Sequence, residues 1–168
     1  MAQYHGVLVR RAEPGDAEEM LRLIVALAEY EKLTPPDEAA RRRLVNDAFG
    51  ERPRFEVFLA EVDGRIVGYA FVFETYSTFL ALPTLYLEDL FVMPECRGRK
   101  AGLALFQHVV AEAERRGCGR VEWVVLDWNQ LALGFYNRLD ATHLDNWCYY
   151  RLEREKFGKV IETGRQGG

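Results

Sequence analysis

Two largely apolar runs, FEVFLAEV at 55–62 and RIVGYAFVFE at 65–74, are separated only by Asp63 and Gly64. That dipeptide suits a two-residue hairpin turn, because both central positions need positive φ, which glycine adopts freely and aspartate tolerates. The spacing predicts two antiparallel strands, so the rest of the chain must build on a sheet. Ahead of them, VLVRRA (Val7 to Ala12) alternates as a strand. Asp16 followed by Glu19 resembles a capping box before Met20, Leu23, Ile24, Leu27 and Ala28 at helical spacing. Pro35 and Pro36 break the chain, Asp37 caps a second helix running toward Gly50, and Pro53 closes it. After the hairpin, Leu85 to Val92 reads as a strand, Gly102 to Arg115 as a helix and Arg120 to Leu126 as a strand. Leu131 to Leu139 reads as a short helix and Trp147 to Leu152 as the last strand. The fold class expected is α/β (α+β), with a mixed, mostly antiparallel sheet of six to seven strands and about four helices.

At 168 residues the chain suits one domain, since two halves would each bury too little surface. The domain is expected over 1–155, and the polar tail 156–168, ending GRQGG, is expected to be flexible. No apolar run approaches the roughly 20 residues of a membrane helix, and MAQYHGVLVRR lacks the pattern of a secretion signal. Cys96, Cys118 and Cys148 are an odd number without metal-type spacing, so free thiols, a cytoplasmic location and no metal site are expected. With 26 acidic against 22 basic residues, the net charge of −4 argues against a polyanion partner and permits a cationic one. Arg41, Arg42 and Arg43 lie in a helical stretch without aromatic residues to stack on bases, so they read as a solvated face. Neither nucleic acid nor membrane is an expected partner.

LEDLFVMPECRGRKAG, from Leu87 to Gly102, passes from strand to basic turn to helix. At such a junction several amides across Arg97, Gly98, Arg99, Lys100, Ala101, Gly102 and Leu103 lack intrahelical acceptors and point outward together. Arg97, Arg99 and Lys100 oppose the helix dipole, which a bound phosphate or pyrophosphate would compensate. The stretch is neither a nucleotide-triphosphate P-loop nor a GxGxxG turn.

ECRGRKAG after LFVMP resembles the acetyl-CoA pyrophosphate loop of the GNAT superfamily of N-acetyltransferases, with Arg97 and Gly102 matching the ends of the pattern. Lys100 stands where that family has its inner glycine, which puts the loop's geometry in question. LYLEDLFV, DWNQLALGFYNR and the early ALAEYEK resemble the spermidine/spermine, or diamine, N-acetyltransferase branch, which includes thialysine acetyltransferases. The resemblance spans roughly residues 7 to 152.

It implies acetyl-CoA as cosubstrate, Glu88 as the base or holder of a water, and Tyr136 as the acid beside the CoA sulfur. The chemistry agrees with those residue types. An alkyl ammonium with a pKa near ~10 must lose a proton before it attacks, and a tyrosine protonated below about 10 can supply one to the departing thiolate. On a regular strand Asp89 faces away from Glu88, so only one of the two carboxylates would enter a given cleft. The resemblance also implies that backbone amides of Leu90, Phe91 and Val92 pair with the pantetheine arm as with an added strand. Asn129 matches a CoA contact, and is equally a helix N-cap ahead of Leu131.

A polyamine needs carboxylates along its groove, because a desolvated lone ammonium is costly. Tyr30 and Glu31 match a substrate-binding pair of the family. Asp145 falls near a third acidic position and is equally a turn residue. The reading is direct acetyl transfer to a small cationic amine, polyamine-like, or alternatively to an amino acid such as thialysine or lysine. An acyl-cysteine route through Cys96 is the rival mechanism, and a CoA-binding sensor without turnover the rival class. His108 and His143 are read as structural. The related enzymes are homodimers, and WCYYRL at 147–152 is either an interface or an inner strand.

Overall fold

A computed structural model describes residues 2–163, in which the chain forms six strands, β1 (Ala2–Tyr4), β2 (Val7–Arg11), β3 (Glu56–Val62), β4 (Arg65–Ser77), β5 (Leu82–Val92) and β6 (Arg120–Glu122). Five helices accompany them, α1 (Ala17–Tyr30), α2 (Glu38–Phe49), α3 (Ala101–Arg115), α4 (Gln130–Asn137) and α5 (Phe157–Glu162). Two compact units divide the chain, residues 1–124 and 125–168.

In the first unit, Asp63 and Gly64 adopt φ of 52° and 73°, so β3 turns back into β4 as the dipeptide predicts. The strands form one mixed sheet in the order β1-β2-β3-β4-β5-β6, antiparallel throughout except for the parallel β5–β6 pair. Parallel neighbours need a crossover, and α3 supplies it. One face of the sheet buries Val57, Leu59, Tyr69 and Phe91 with Met20 and Leu23 of α1 and Ala48 of α2. Burying a leucine such as Leu23 or Leu59 fully is worth about 2 kcal/mol. Helix α3 buries Ala104, Leu105 and Val109 and packs on β2 to β5. At its end Arg116 reaches Glu56 of β3 at 2.7 Å and Glu112 at 3.1 Å, which clamps the helix to the sheet. At the start of β4, a Cβ on Gly68 would stand 2.5 Å from the Phe91 carbonyl, so only glycine admits this close approach of β5.

Several local expectations change. An extra strand, β1, pairs with β2 across His5 and Gly6, both at positive φ. Asp16 does not cap α1 through a capping box with Glu19. Its carboxylate is held by Arg10 at 2.7 Å and accepts from the Glu13 amide at 2.8 Å, while Glu19 pairs with Arg22. Asp37 does cap α2, accepting from the Ala40 amide at 2.7 Å. In α2, Arg42 pairs with Glu38 and Arg41 donates to the Pro36 carbonyl at 3.0 Å. Strand β6 ends at Glu122, not Leu126.

In the second unit, Asn129 caps α4 by accepting from the Ala132 amide at 3.2 Å. Trp147 to Leu152 is not a strand: among the described residues nothing pairs with it, and β propensity without a partner's hydrogen bonds does not make a ladder. Within the stretch expected as a tail, 157–162 forms α5, and GRQGG lies outside the described residues.

Candidate active site

The chemistry-bearing residues of the first unit gather along β5 and the loop after it. Val72 of β4 pairs with Leu87, yet the preceding Phe71 pairs with Asp89, so Glu88 is one residue too many on β5 and forms a β-bulge. The bulge reverses which face each parity of β5 presents. Leu87 shares the face of Val72, whereas Asp89 and Phe91 share the face of Phe71 and Tyr69, toward α1. The alternation expected of a regular strand therefore does not carry across Glu88 and Asp89.

Asp89 consequently enters the aromatic layer beneath the end of α1. The Tyr69 hydroxyl donates to its Oδ2 at 2.9 Å. Burial, aided by the nearby charges of Glu88 and Glu31, pushes the Asp89 carboxyl up to about 6 against the opposing effect of that hydrogen bond. Glu31, the residue closing α1, also has its carboxyl raised by burial. Tyr69, fully buried, is held well above the ordinary phenol range by burial and by Asp89, so it stays a proton donor. Glu88 is exposed. Tyr30 lies tilted toward Phe91 with ring centroids 6.2 Å apart. Three carboxylates and a tyrosine thus converge where a cation would be stabilised.

On the opposite edge of β5, β6 pairs only with Thr84 to Tyr86. The edge from 87 to 92 carries no strand partner on that side among the described residues, and alternate amides there point away from β4. This stretch includes Leu90, Phe91 and Val92.

Beyond Val92 the loop keeps the backbone that a glycine would give. Lys100 has φ of 65°, and Gly98 has φ of 80°. A left-handed lysine costs about 1 kcal/mol relative to glycine. No side chain caps α3, and its first bond runs from the Ala104 amide to the Lys100 carbonyl at 2.9 Å. The amides of Ala101, Gly102 and Leu103 are left without intrahelical acceptors, beside an N-terminus with no acidic residue in its first turn. The other two cations are engaged within the chain. Arg97 donates to the Val92 carbonyl at 3.2 Å and lies 4.7 Å over the Tyr30 ring, while Arg99 bridges to Asp63 at 2.5 Å. An open strand edge leading to an uncapped, cation-flanked helix start fits the thioester arm and pyrophosphate of acetyl-CoA.

Tyr30, Glu31, Glu88, the edge 90–92 and the loop 97–103 are therefore brought together in the first unit. Asn129, Tyr136 and Asp145 belong to the second. Tyr136 is buried in α4, its ring 5.0 Å from that of Phe135, and burial raises its phenol above the ordinary value, further from neutral pH. Asn129 serves as the cap of α4, and Asp145 is exposed in a turn. Cys96 sits in a 3-10 turn, while His108 is buried between Tyr4 and Phe58, edge-on to both. Sequence reasoning missed Asp89 and Tyr69. Its only trace of them was an acidic pair inside an apolar run, because a bulge leaves no residue signature.

The acetyltransferase (GNAT) family matches residues 18–141. Thialysine N-epsilon-acetyltransferase of Bos taurus is 36% identical over 160 residues, covering 89% of this chain and 94% of that protein. Spermidine/spermine N(1)-acetyltransferase-like protein 1 of Homo sapiens is 32% identical over 158 residues, covering 88% of this chain and 23% of that protein. Among solved structures, an integron cassette protein from the mobile metagenome of V. cholerae superposes with a TM-score of 0.77 at 24% identity, covering 94% of this chain and 98% of that one.

Proposed function

Since the chain belongs to the acetyltransferase (GNAT) family and is an N-acetyltransferase, we propose that it moves acetyl from acetyl-CoA directly to a primary amine of a small, cationic, polyamine-like substrate. One observation carries the proposal: β5 loses its β6 partner after Tyr86 where the bulge sets Glu88 and Asp89 beside Glu31. A single strand thus offers an open edge to one substrate and carboxylates to the other. Acetyl-CoA brings a thioester whose thiolate is a good leaving group.

The proposed roles fall to the chain's own residues. Glu31, Glu88 and Asp89 attract the ammonium, and Glu88 takes its proton directly or through water, freeing the lone pair for attack. Amides of Leu90, Phe91 and Val92 hold the donor's arm along the strand edge. Amides of residues 98–103 and the Lys100 ammonium hold the pyrophosphate. Tyr136, kept protonated by burial, gives its proton to the departing thiolate. Arg97, spread on Tyr30, acts through its backbone and by shaping the acceptor side. Tyr30 lines that side, Asp145 adds a further anion for a long amine, and Asn129 contributes to CoA contact from the α4 cap. The similarity to thialysine N-epsilon-acetyltransferase favours a second reading, in which the acceptor is the side-chain amine of an amino acid.

Thiol release from acetyl-CoA, measured with spermidine, spermine, short diamines, thialysine and lysine, tests the proposal. Release should depend on added amine and be fastest with multiply charged amines. CoA binding without amine-dependent release refutes it, and preference for amino acids selects the second reading. Tyr136→Phe should lower kcat by about a hundredfold while the protein stays folded. We also place the enzyme in the cytoplasm as a homodimer, for which exposed Trp147, Tyr149 and Tyr150 offer apolar surface; sedimentation at micromolar concentration checks the dimer.

A further inference from the structure

We infer that Tyr69 is a positioning residue for the acceptor side of the site, its buried hydroxyl holding the Asp89 carboxylate in the orientation that meets the substrate's ammonium. The inference rests on the acetyl-transfer reading above and adds a residue to it. Tyr69 pairs with Phe91 across the β4–β5 ladder, and Asp89 pairs with Phe71, so the two are diagonal neighbours on one face. The Tyr69 ring is fixed: it is fully buried in the core layer and edge-on to Phe91 at 6.4 Å. Its hydroxyl therefore cannot swing away, and its 2.9 Å bond engages Oδ2 of Asp89.

A phenylalanine would fill the same space. The hydroxyl is what the packing does not require. A buried phenol needs an acceptor, and a buried carboxylate needs a donor, so the pair satisfies both while sequestering one oxygen of Asp89. The other oxygen is left for an incoming cation. Three groups act on Asp89: Tyr69 from β4, Glu88 from its own strand and Glu31 from the end of α1. Both glutamates repel its charge, and the tyrosine alone favours it. Without the hydroxyl, Asp89 would hold its proton to higher pH and lose its fixed rotamer.

Tyr69→Phe tests this, with three readouts. The acid limb of the kcat/KM profile should move up by about one pH unit, the worth of one hydrogen bond to a charged group. KM for the amine should rise about tenfold while the affinity for CoA is unchanged. In the free protein, the carbon-13 carboxyl titration of Asp89 should also move up by about one unit. Asp89→Ala, which removes the acceptor, should then make the Tyr69→Phe change kinetically silent, because the tyrosine acts only through that carboxylate. A variant that melts earlier but keeps its acid limb, amine KM and carboxyl titration overturns the inference. So does a Tyr69→Phe effect that persists undiminished in the Asp89→Ala background. Absence of amine-dependent thiol release from the unmodified enzyme sinks the acetyl-transfer reading instead, and the carboxyl titration still decides whether Tyr69 governs Asp89.

Discussion

Asp89→Asn should make the protein more stable at neutral and alkaline pH while weakening its hold on the amine. The substitution preserves shape, and an amide oxygen can still accept the Tyr69 hydroxyl bond. What it removes is a negative charge kept in a buried place beside Glu31 and Glu88. The carboxyl titrates at about 6 in the fold against an ordinary 3.8. Roughly two units at about 1.4 kcal/mol each give a cost near 3 kcal/mol for carrying the charge above pH 6.5. The sign follows from linkage. Because the folded value is raised, the native state binds the extra proton between about pH 4 and pH 6, so stability is lost as pH rises through that window. The variant escapes the loss. Its advantage should be near zero at pH 4 and grow to at most about 3 kcal/mol by pH 8, since the new amide N–H groups need acceptors of their own. For a chain of this length that is an increase in Tm of up to about 10 °C. Urea unfolding of both proteins at pH 4, 6 and 8 measures it, with thiol release as the activity control. A stability difference that does not change with pH, or a variant less stable at pH 8, would refute the argument that Asp89 is held charged against its surroundings.

Lys100→Gly should raise unfolding stability by about 1 kcal/mol, because glycine adopts φ near 65° without the clash that a Cβ makes; Lys100→Ala, which keeps that clash, should show no such gain by urea titration. His108 is buried with its Nδ1 unpartnered in the structure, and burial lowers its imidazole below the ordinary 6.5, with the nearby Arg116 lowering it further and Glu112 opposing. Its folded value is depressed, so stability is present above pH 6.5 and falls as pH drops through the folded value. His108→Phe should flatten the pH dependence of the urea midpoint between pH 5 and pH 7. Arg116→Met should destabilise by about 2 kcal/mol in the same assay, since it leaves Glu56 and Glu112 without the cation that joins α3 to β3.

How much of this was legible in the sequence depended on how local the deciding interaction is. The β3–β4 hairpin follows from two turn residues and the apolar runs on either side, all within 20 residues. The α2 cap follows from one aspartate and an amide three positions on. Asp16 was misread because Arg10, on β2, outcompetes the capping geometry by offering two charged hydrogen bonds. Trp147 to Leu152 has the composition of a strand, but a strand exists only with a partner, and partners are not encoded locally. The same limit hid the site's most perturbed carboxylate. The residues LED state that two acids follow a leucine; whether the second turns toward α1 depends on Phe71 and Val72 of another strand choosing Asp89 and Leu87.

The places where the chain breaks local rules lie together on β5 and the start of α3. Glu88 interrupts a ladder, Asp89 carries charge under an aromatic layer, and Lys100 takes a backbone that favours glycine. The last two lower stability by an amount that a single substitution would recover, and none of the three is needed to close the core, which Leu23, Leu59 and their neighbours already fill. Two consequences offset the losses. The bulge at Glu88, which aims Asp89 at one face, lies just beyond Tyr86, where β5 loses β6 as a partner and its edge opens. The left-handed Lys100 then turns the chain so that α3 begins with its amides uncapped. A sheet optimised for stability would continue the β5–β6 ladder, cap α3 and exclude the carboxylate, and it would lose the places we propose for a thioester and an ammonium.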